Sequence, residues 1–175
     1  LENKGILIGS HLKQIHNIVD VDFSVNKTQL SEQIDQMNKE SFAVITSTIK
    51  DDMITCIEKA RENEDSVGGI IETAVLNIEG GIGEPFFDSI ESVLSHLIFS
   101  IPAVKGIEFG KGFDVADMFG STNNDTAKAC ENGVDFVTNN AGGILGGMTN
   151  GMPLVFRAAI KPTPSIAQKQ RTVDL

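Results

Sequence analysis

The run Thr138-Asn139-Asn140-Ala141-Gly142-Gly143-Ile144-Leu145-Gly146-Gly147-Met148-Thr149-Asn150-Gly151, followed ten residues later by Lys161-Pro162-Thr163-Pro164-Ser165, holds the groups in this chain best suited to grip an anion. Its five glycines and three asparagines let the backbone pass close to a ligand and turn N–H groups toward it. No Gly-Lys-Ser/Thr follows, so this is not a Walker A loop. The Gly-Gly-x-x-Gly-Gly spacing, with no acidic residue about 20 positions on, is not a dinucleotide fingerprint either. Glycine doublets also close tight βαβ or hairpin connections, and that purely architectural reading stays open beside the ligand-binding one.

A strand then delivers a cation. Alternation over Met152 to Ile160 puts Met152, Leu154, Phe156, Ala158 and Ile160 on one face. Pro153, Val155, Arg157, Ala159 and Lys161 fall on the other, so Arg157 and Lys161 point the same way. Lys161 opens into Pro162-Thr163-Pro164-Ser165, a stiff turn rich in hydroxyls. Ammonium, hydroxyls and free backbone N–H groups together suit a phosphate or the edge of a flavin ring.

The remaining chemistry-bearing residues read as structural. His11 and His16, five apart on an extended segment, face opposite sides and cannot share a metal; no metal site is expected. His96 belongs to the boundary of an amphipathic helix. Glu84 and Asp88 flank a turn and a helix start, and Asp65-Ser66 is a turn. Asn123, Asn124 and Asp125 form a polar loop that borders a site or is merely solvated. Cys56 and Cys130 are 74 residues apart with no partner motif and read as reduced thiols of a cytoplasmic protein.

These residues need a scaffold, and the periodicities outline one. Gly5 to His16 is extended. Thr28 to Glu40 has Leu30, Ile34 and Met37 at helical spacing, followed by a short extended piece, Phe42 to Ile45. Asp51 to Glu64 is a helix with Met53, Ile54, Ile57 and Ala60 on one face. Ser66 to Glu79 is a strand ended by Gly80-Gly81. Asp88 to Ser100 is a helix capped by Asp88, with Glu91 as capping-box partner and Ile90, Val93, Leu94, Leu97 and Ile98 inward. Val104 to Phe109 is a strand, Asp114 to Phe119 a turn of helix, and Ser121 to Asn132 a polar loop. The stretch from 66 to 109 is a βαβ-like unit in an α+β arrangement. No linker-like composition interrupts residues 1–175, which read as a single region without an internal boundary.

Composition narrows the function classes. A formal charge of −10 and the absence of Trp and Tyr argue against a nucleic-acid partner. The basic residues Arg157, Lys161, Lys169 and Arg171 make the segment after the glycine run the one locally basic stretch, where any anion would be handled. The chain starts at Leu1 with no charged-then-apolar leader and no membrane-length apolar run. The expectation is a protein without a membrane partner, not cut from a secreted precursor.

Taken with Gly80-Gly81-Ile82-Gly83-Glu84-Pro85-Phe86-Phe87-Asp88 and Ile101-Pro102-Ala103-Val104-Lys105-Gly106-Ile107-Glu108-Phe109-Gly110, the glycine run and the lysine turn resemble chorismate synthases. The blocks occur in that family's order, and the likeness extends from Gly5-Ile6-Leu7-Ile8 to Arg171-Thr172. Family members are longer, and this chain is similar to their middle. The resemblance implies an α+β fold in which helices are layered between antiparallel β-sheets, of which this chain is a part.

It also implies reduced FMN as cofactor and 5-enolpyruvylshikimate 3-phosphate as small-molecule substrate. The reaction would be a 1,4-elimination of phosphate to chorismate in the shikimate pathway, by a homo-oligomer of the tetrameric kind. The family's flavin-contacting lysine turn matches Lys161, Pro162, Thr163, Pro164 and Ser165; the first glycine of its Leu-Gly-Gly step matches Gly146; a third contact matches Ala103. Serine is common in the family where this chain has Pro164, and Asn where it has Pro102, so two donors are lost. The family's catalytic histidine motifs and arginine-rich segments have no counterpart here. No catalytic residue is therefore assigned, and the isolated chain is expected to be inactive. Both an intrinsic NADP-linked reductase activity and a separate flavin reductase fit as the source of electrons. The competing reading is a non-catalytic anion-binding or assembly domain whose glycine loops only pack.

Overall fold

The computed structural model describes residues 5–130 and 133–173. Strand β1 (Leu7–Ile15) turns at His16, which adopts φ +52°, into the short β2 (Ile18–Val19). Helices α1 (Lys27–Met37) and α2 (Ile49–Glu62) follow, then β3 (Gly69–Leu76), α3 (Ile90–Phe99) and β4 (Val104–Phe109). A 3₁₀ helix (Gly112–Asp117) and the single turn α4 (Gly120–Asn123) lead to β5 (Ala127–Cys130) and β6 (Gly133–Phe136). Last come β7 (Ile144–Leu145), β8 (Met148–Thr149) and β9 (Leu154–Ile160).

Five strands form an antiparallel sheet in the order β2-β1-β3-β9-β4. The expected βαβ unit is present as β3-α3-β4, but it is split. β9, from the far end of the sequence, inserts between β3 and β4 and pairs antiparallel with both. Parallel β3 and β4 therefore never touch, and the strand carrying Arg157 is hydrogen-bonded along both edges.

The two faces of the sheet are covered at opposite ends. Alternation sends His11, Glu72, Ala74 and Leu76 to the side where α1 packs through Leu30, Ile34 and Met37. Met53 of α2 closes a second cluster with Ile15 and Val44. On the other side Leu154 and Phe156 meet Ile90, Leu94 and Ile98 of α3. Gly9 is where α1 comes closest: a Cβ there would lie 2.9 Å from the Ile34 side chain.

Several local expectations are corrected. α3 is capped by Ser89, whose hydroxyl accepts from the Ser92 N–H, and not by Asp88. Asp88 is held one step earlier, in a backbone bridge with Glu84. Val93 and Leu97 are exposed rather than inward, because α3 meets the sheet only along its Ile90-Leu94-Ile98 stripe. β3 ends at Asn77, which adopts φ +62°, before the Gly80-Gly81 pair is reached. Phe42 to Ile45 forms no strand, although the Ala43 carbonyl accepts from Leu12 N. The expected polar loop 121–132 contains α4 and β5, one arm of a ribbon with β6; Glu131 and Asn132 lie outside the described residues.

Candidate functional site

The lysine turn sits where β9 runs off the sheet beside the start of β4. Val104 pairs with Ile160, and Lys161 N donates to the Ala103 carbonyl at 3.0 Å, so Ala103 and Lys161 are direct neighbours. Ala103 adopts φ +72°, which aims its backbone away from the ordinary strand path. Pro162 lies against Gly68, where a Cβ would meet Pro162 Cδ at 2.9 Å. Ser66 Oγ donates to the Thr163 carbonyl at 2.7 Å, and Ala167 N donates to the Glu64 carbonyl at 3.2 Å. The turn is thus anchored at the Lys161 amide, the Pro162 ring and the Thr163 carbonyl, which leaves its remaining donors unused.

That anchoring leaves the donors free. Lys161, Pro162, Thr163, Pro164 and Ser165 are all exposed. Among the described residues the Lys161 ammonium makes no ion pair, and the N–H and hydroxyl groups of Thr163 and Ser165 have no protein partner. An exposed cation, two hydroxyls and two amides on a fixed turn constitute an acceptor-seeking surface.

Gly146 stands elsewhere. The glycine run folds as a hairpin in which Gly146 and Gly147, at φ +60° and +83°, make the two-residue turn between β7 and β8. The Gly147 carbonyl accepts from Ile90 N at the start of α3, whereas Ala103 follows the end of that helix. Ten helical residues, about 15 Å at 1.5 Å each, therefore separate Gly146 from the lysine turn. A Cβ on Gly146 would meet nothing within 4 Å, so this glycine serves its turn and lies open to a ligand.

The hairpin reading of the run holds at Gly146-Gly147, whereas its first half is fixed by side chains. Asp125 accepts from Thr138 Oγ1, Asn140 N and Ala141 N at 2.6, 2.7 and 3.0 Å, while Asn140 Nδ2 donates to the carbonyls of Thr122 and Asn123. The polar loop at 123–125 is thus a clamp on the glycine run. Asp125→Ala is expected to cost about 1–3 kcal/mol, because the half-buried amides of Asn140 and Ala141 lose their acceptor. Urea unfolding checks the loss, and faster proteolysis at 138–143 checks its place.

A charged cluster inside the sheet escaped the sequence reading. Glu72, 1 % exposed, accepts from His11 Nε2 at 3.0 Å and from Phe23 N at 2.8 Å, and its other oxygen lies 3.5 Å from Arg157 Nε. Arg157 also pairs with Glu108 at 3.1 Å and donates to the Gly110 carbonyl. Asp20 approaches His11 Nδ1 at 3.5 Å and accepts from the amides of Val21, Ile45 and Thr46. Arg157 is therefore spent on carboxylates and does not join Lys161 in facing an anion. The signal was present: Glu72 shares its strand face with Ala74 and Leu76, and a carboxylate on an apolar face requires partners.

Burial pushes the Asp20 carboxyl upward, but the hydrogen bonds from Thr46, Val21 and Ile45 outweigh it and hold its pKa below the usual carboxylate value. A depressed folded pKa gives stability that is complete above the unfolded value, about 3.9, and is lost as pH falls through the lower folded value. Melting temperature is therefore expected to drop on acidification below about pH 4, less steeply in Asp20→Asn. Equal slopes for the two proteins would remove Asp20 from the account.

A cavity of about 280 Å³ opens beside this cluster, bordered by Asp22, Lys111, Asn139 and Arg157, and includes none of Ala103, Gly146 or Lys161 to Ser165. Its Arg157 is neutralised by Glu72 and Glu108 and its Asp22 by Lys13 at 2.6 Å, while the Lys111 ammonium at its edge makes no ion pair among the described residues. No group of three or more metal-ligating side chains occurs among the described residues, and no helix is long and apolar enough to cross a membrane. Cys56 and Cys130 are free thiols.

Comparison with known proteins places this geometry. The family model described as chorismate synthase matches residues 1–175. The chorismate synthase of Thermococcus kodakarensis is 44% identical over 175 residues, which are 100% of this chain and 47% of that protein. That of Korarchaeum cryptofilum is 50% identical over 123 residues, covering 70% of this chain and 34% of the relative. A crystal structure of chorismate synthase superposes with a TM-score of 0.86 at 32% identity, covering 94% of this chain and 52% of that one. The chain spans about half the length of the curated relatives that match it end to end.

Proposed function

Because the chain belongs to the chorismate synthase family, we propose that it supplies one wall of a reduced-FMN site for converting 5-enolpyruvylshikimate 3-phosphate to chorismate, a lyase reaction of the shikimate pathway. The observation that carries this reading is the end-to-end family match, joined to the fixed turn with its unpaired donors. The donors at Lys161, Thr163 and Ser165 and the open backbone at Gly146 fit a flavin, which presents acceptors along its ring edge and phosphate.

In this reading Lys161, Thr163, Ser165 and the backbone at Ala103, Pro162 and Pro164 hold the cofactor at one end of α3, and Gly146 borders it at the other. When bound, reduced FMN supplies the electron-rich ring that assists C–O cleavage without net redox change. Lys161 contributes a fixed positive charge opposite cofactor acceptors. Thr163 and Ser165 orient it through hydroxyls set by the Ser66 and Glu64 anchors. The groups that move protons are not among these residues, so the 175-residue chain alone is inactive in this proposal. The active protein is a cytoplasmic homo-oligomer of the tetrameric kind.

The test is anaerobic chorismate formation from 5-enolpyruvylshikimate 3-phosphate with chemically reduced FMN, beside an oxidised-FMN control. It is run on this chain alone and on this chain joined to the flanking regions of the Thermococcus kodakarensis relative. Turnover only by the longer protein, and only with reduced flavin, is the expected result. Lys161→Ala in the longer protein is then expected to weaken FMN binding about tenfold, the loss of roughly one charge-assisted hydrogen bond. Turnover by the 175-residue chain, or unchanged flavin affinity in Lys161→Ala, would contradict the assignment. A folded longer protein without turnover would favour the anion-binding or assembly reading.

A further inference from the structure

Two opposite charges border one cavity without meeting each other. The cavity of about 280 Å³ beside the buried cluster has Asp22 on the segment before α1 and Lys111 on the loop after β4. No ion pair joins them. Asp22 Oδ1 lies 2.6 Å from Lys13 Nζ with its side chain still 50% exposed, and Lys111 has no carboxylate partner among the described residues. Burial pushes the Asp22 carboxyl upward, but the hydrogen bond and charge of Lys13, with the charges of Arg157 and Lys111, outweigh it and hold its pKa below the usual carboxylate value. Lys111 therefore acts on Asp22 through space without pairing with it. Phe23, Val25, Val137 and Val155 supply apolar wall, and Val25 and Val137 are half-exposed, so their surface is open to an occupant. The backbone around them is fixed. Lys111 N donates to the Asn140 carbonyl at 2.8 Å, Gly110 N to the Val155 carbonyl at 3.0 Å, and Phe23 N to Glu72 at 2.8 Å, which lowers the ordering cost of binding here.

These features define what the cavity can take. Its bordering charges balance, Asp22 and Glu72 against Lys111 and Arg157, and Glu72 and Arg157 are spent on each other. A simple anion would satisfy Lys111 but meet Asp22 with like charge, and a simple cation would do the reverse. A molecule that carries both charges on an apolar body satisfies both groups and adds no net charge. Ligand cavities run from about 300 Å³ upward and are mostly apolar with few polar groups, so this one suits a small molecule. We propose that the cavity binds a free α-amino acid with an apolar side chain, its carboxylate on the Lys111 ammonium and its ammonium on the Asp22 carboxylate. The site is separate from the lysine turn. Gly110 is bonded to Val155, six residues before Lys161 along β9, a span of about 20 Å at 3.3 Å each. Val155 and Arg157 alternate with Leu154 and Phe156, so the cavity lies on the sheet face opposite α3. The inference makes no use of the flavin reading, and either can fail alone.

The test titrates L-leucine into the 175-residue chain, followed by calorimetry and by amide chemical shifts, and into the longer protein with the Thermococcus kodakarensis flanks, followed by calorimetry. The expected result is saturable binding with shifts at Asp22 to Val25, Gly110, Lys111 and Val137 to Asn139, and none at Ala103 or Lys161 to Ser165. Isocaproate, which lacks the ammonium, and isoamylamine, which lacks the carboxylate, are each expected to bind about tenfold or more weakly. Lys111→Met is expected to weaken L-leucine binding by about the same factor and to leave isoamylamine unaffected, because the amine never used that ammonium. The variant keeps the wild-type melting temperature, since Lys111 has no ion-pair partner to lose. Asp22→Asn also takes the partner from Lys13 and lowers stability, so the Lys111 variant decides. Absence of saturable binding would overturn the proposal. So would affinity indifferent to either missing charge or to Lys111→Met, shifts centred on the lysine turn, or loss of binding in the longer protein.

Discussion

Replacing Glu72 by Ala is expected to cost about 3–5 kcal/mol, a large share of the about 5–15 kcal/mol by which whole domains are stable. The side chain is 1% exposed and serves His11, Arg157 and the Phe23 amide together. Truncation leaves the Phe23 amide and His11 Nε2 without their acceptor and removes one of the two carboxylates beside Arg157. Glu72→Gln keeps the shape and an acceptor, so its cost is expected to be smaller, about 1–3 kcal/mol. Urea unfolding followed by circular dichroism measures both. A loss under about 1 kcal/mol for Glu72→Ala would mean that the carboxylate is a bystander and that packing alone fixes β9 beside β3.

The second large effect is expected at Gly110→Ala. Gly110 adopts φ +55°, and a Cβ there would overlap the Asn140 carbonyl oxygen and come within 2.8 Å of the Ala141 carbonyl carbon. Its amide donates to the Val155 carbonyl, so the backbone cannot withdraw without breaking the end of β4 from β9. Positive φ costs about 1 kcal/mol for alanine, and the overlap adds about 1–3 kcal/mol or more. The expected total is about 3 kcal/mol, with displacement of residues 138–143. Gly146→Ala provides the contrast: its φ is +60° but its Cβ meets nothing, so only the conformational cost of about 1 kcal/mol applies. Thermal unfolding of the two variants side by side decides the matter. Equal losses would show that the crowding at Gly110 is relieved by small backbone shifts.

These two predictions rest on different kinds of information. Helix α1 was legible because Leu30, Ile34 and Met37 recur at 3.6-residue spacing, and all three are buried where that spacing points. β1, β3, β4 and β9 were legible from alternation for the same local reason. The cap of α3 was misplaced by one residue, because Asp88 and Ser89 are equally good caps in isolation and only the Glu84 bridge decides between them. β5 was missed because Ala127 to Cys130 is exposed throughout and so carries no apolar alternation to read.

The sequence by itself determined the long helices and strands and the family, since local periodicity and ordered motifs are properties of the chain taken one stretch at a time. It also determined that Glu72 lies on an apolar face. Only the tertiary structure decided what each of these residues meets. β9 inserts between β3 and β4 and brings Arg157 to Glu72, 85 positions away, which converts an apparent anion-binding cation into a buried counter-ion. It brings Lys161 to Ala103 and leaves Gly146 at the other end of α3. It separates glycines crowded by backbone, such as Gly110 and Gly142, from those that face open space. The physical reason is common to all three cases. A side chain's partners and free volume are set by pairings between distant strands, and no periodicity along one strand records which strand will lie beside it.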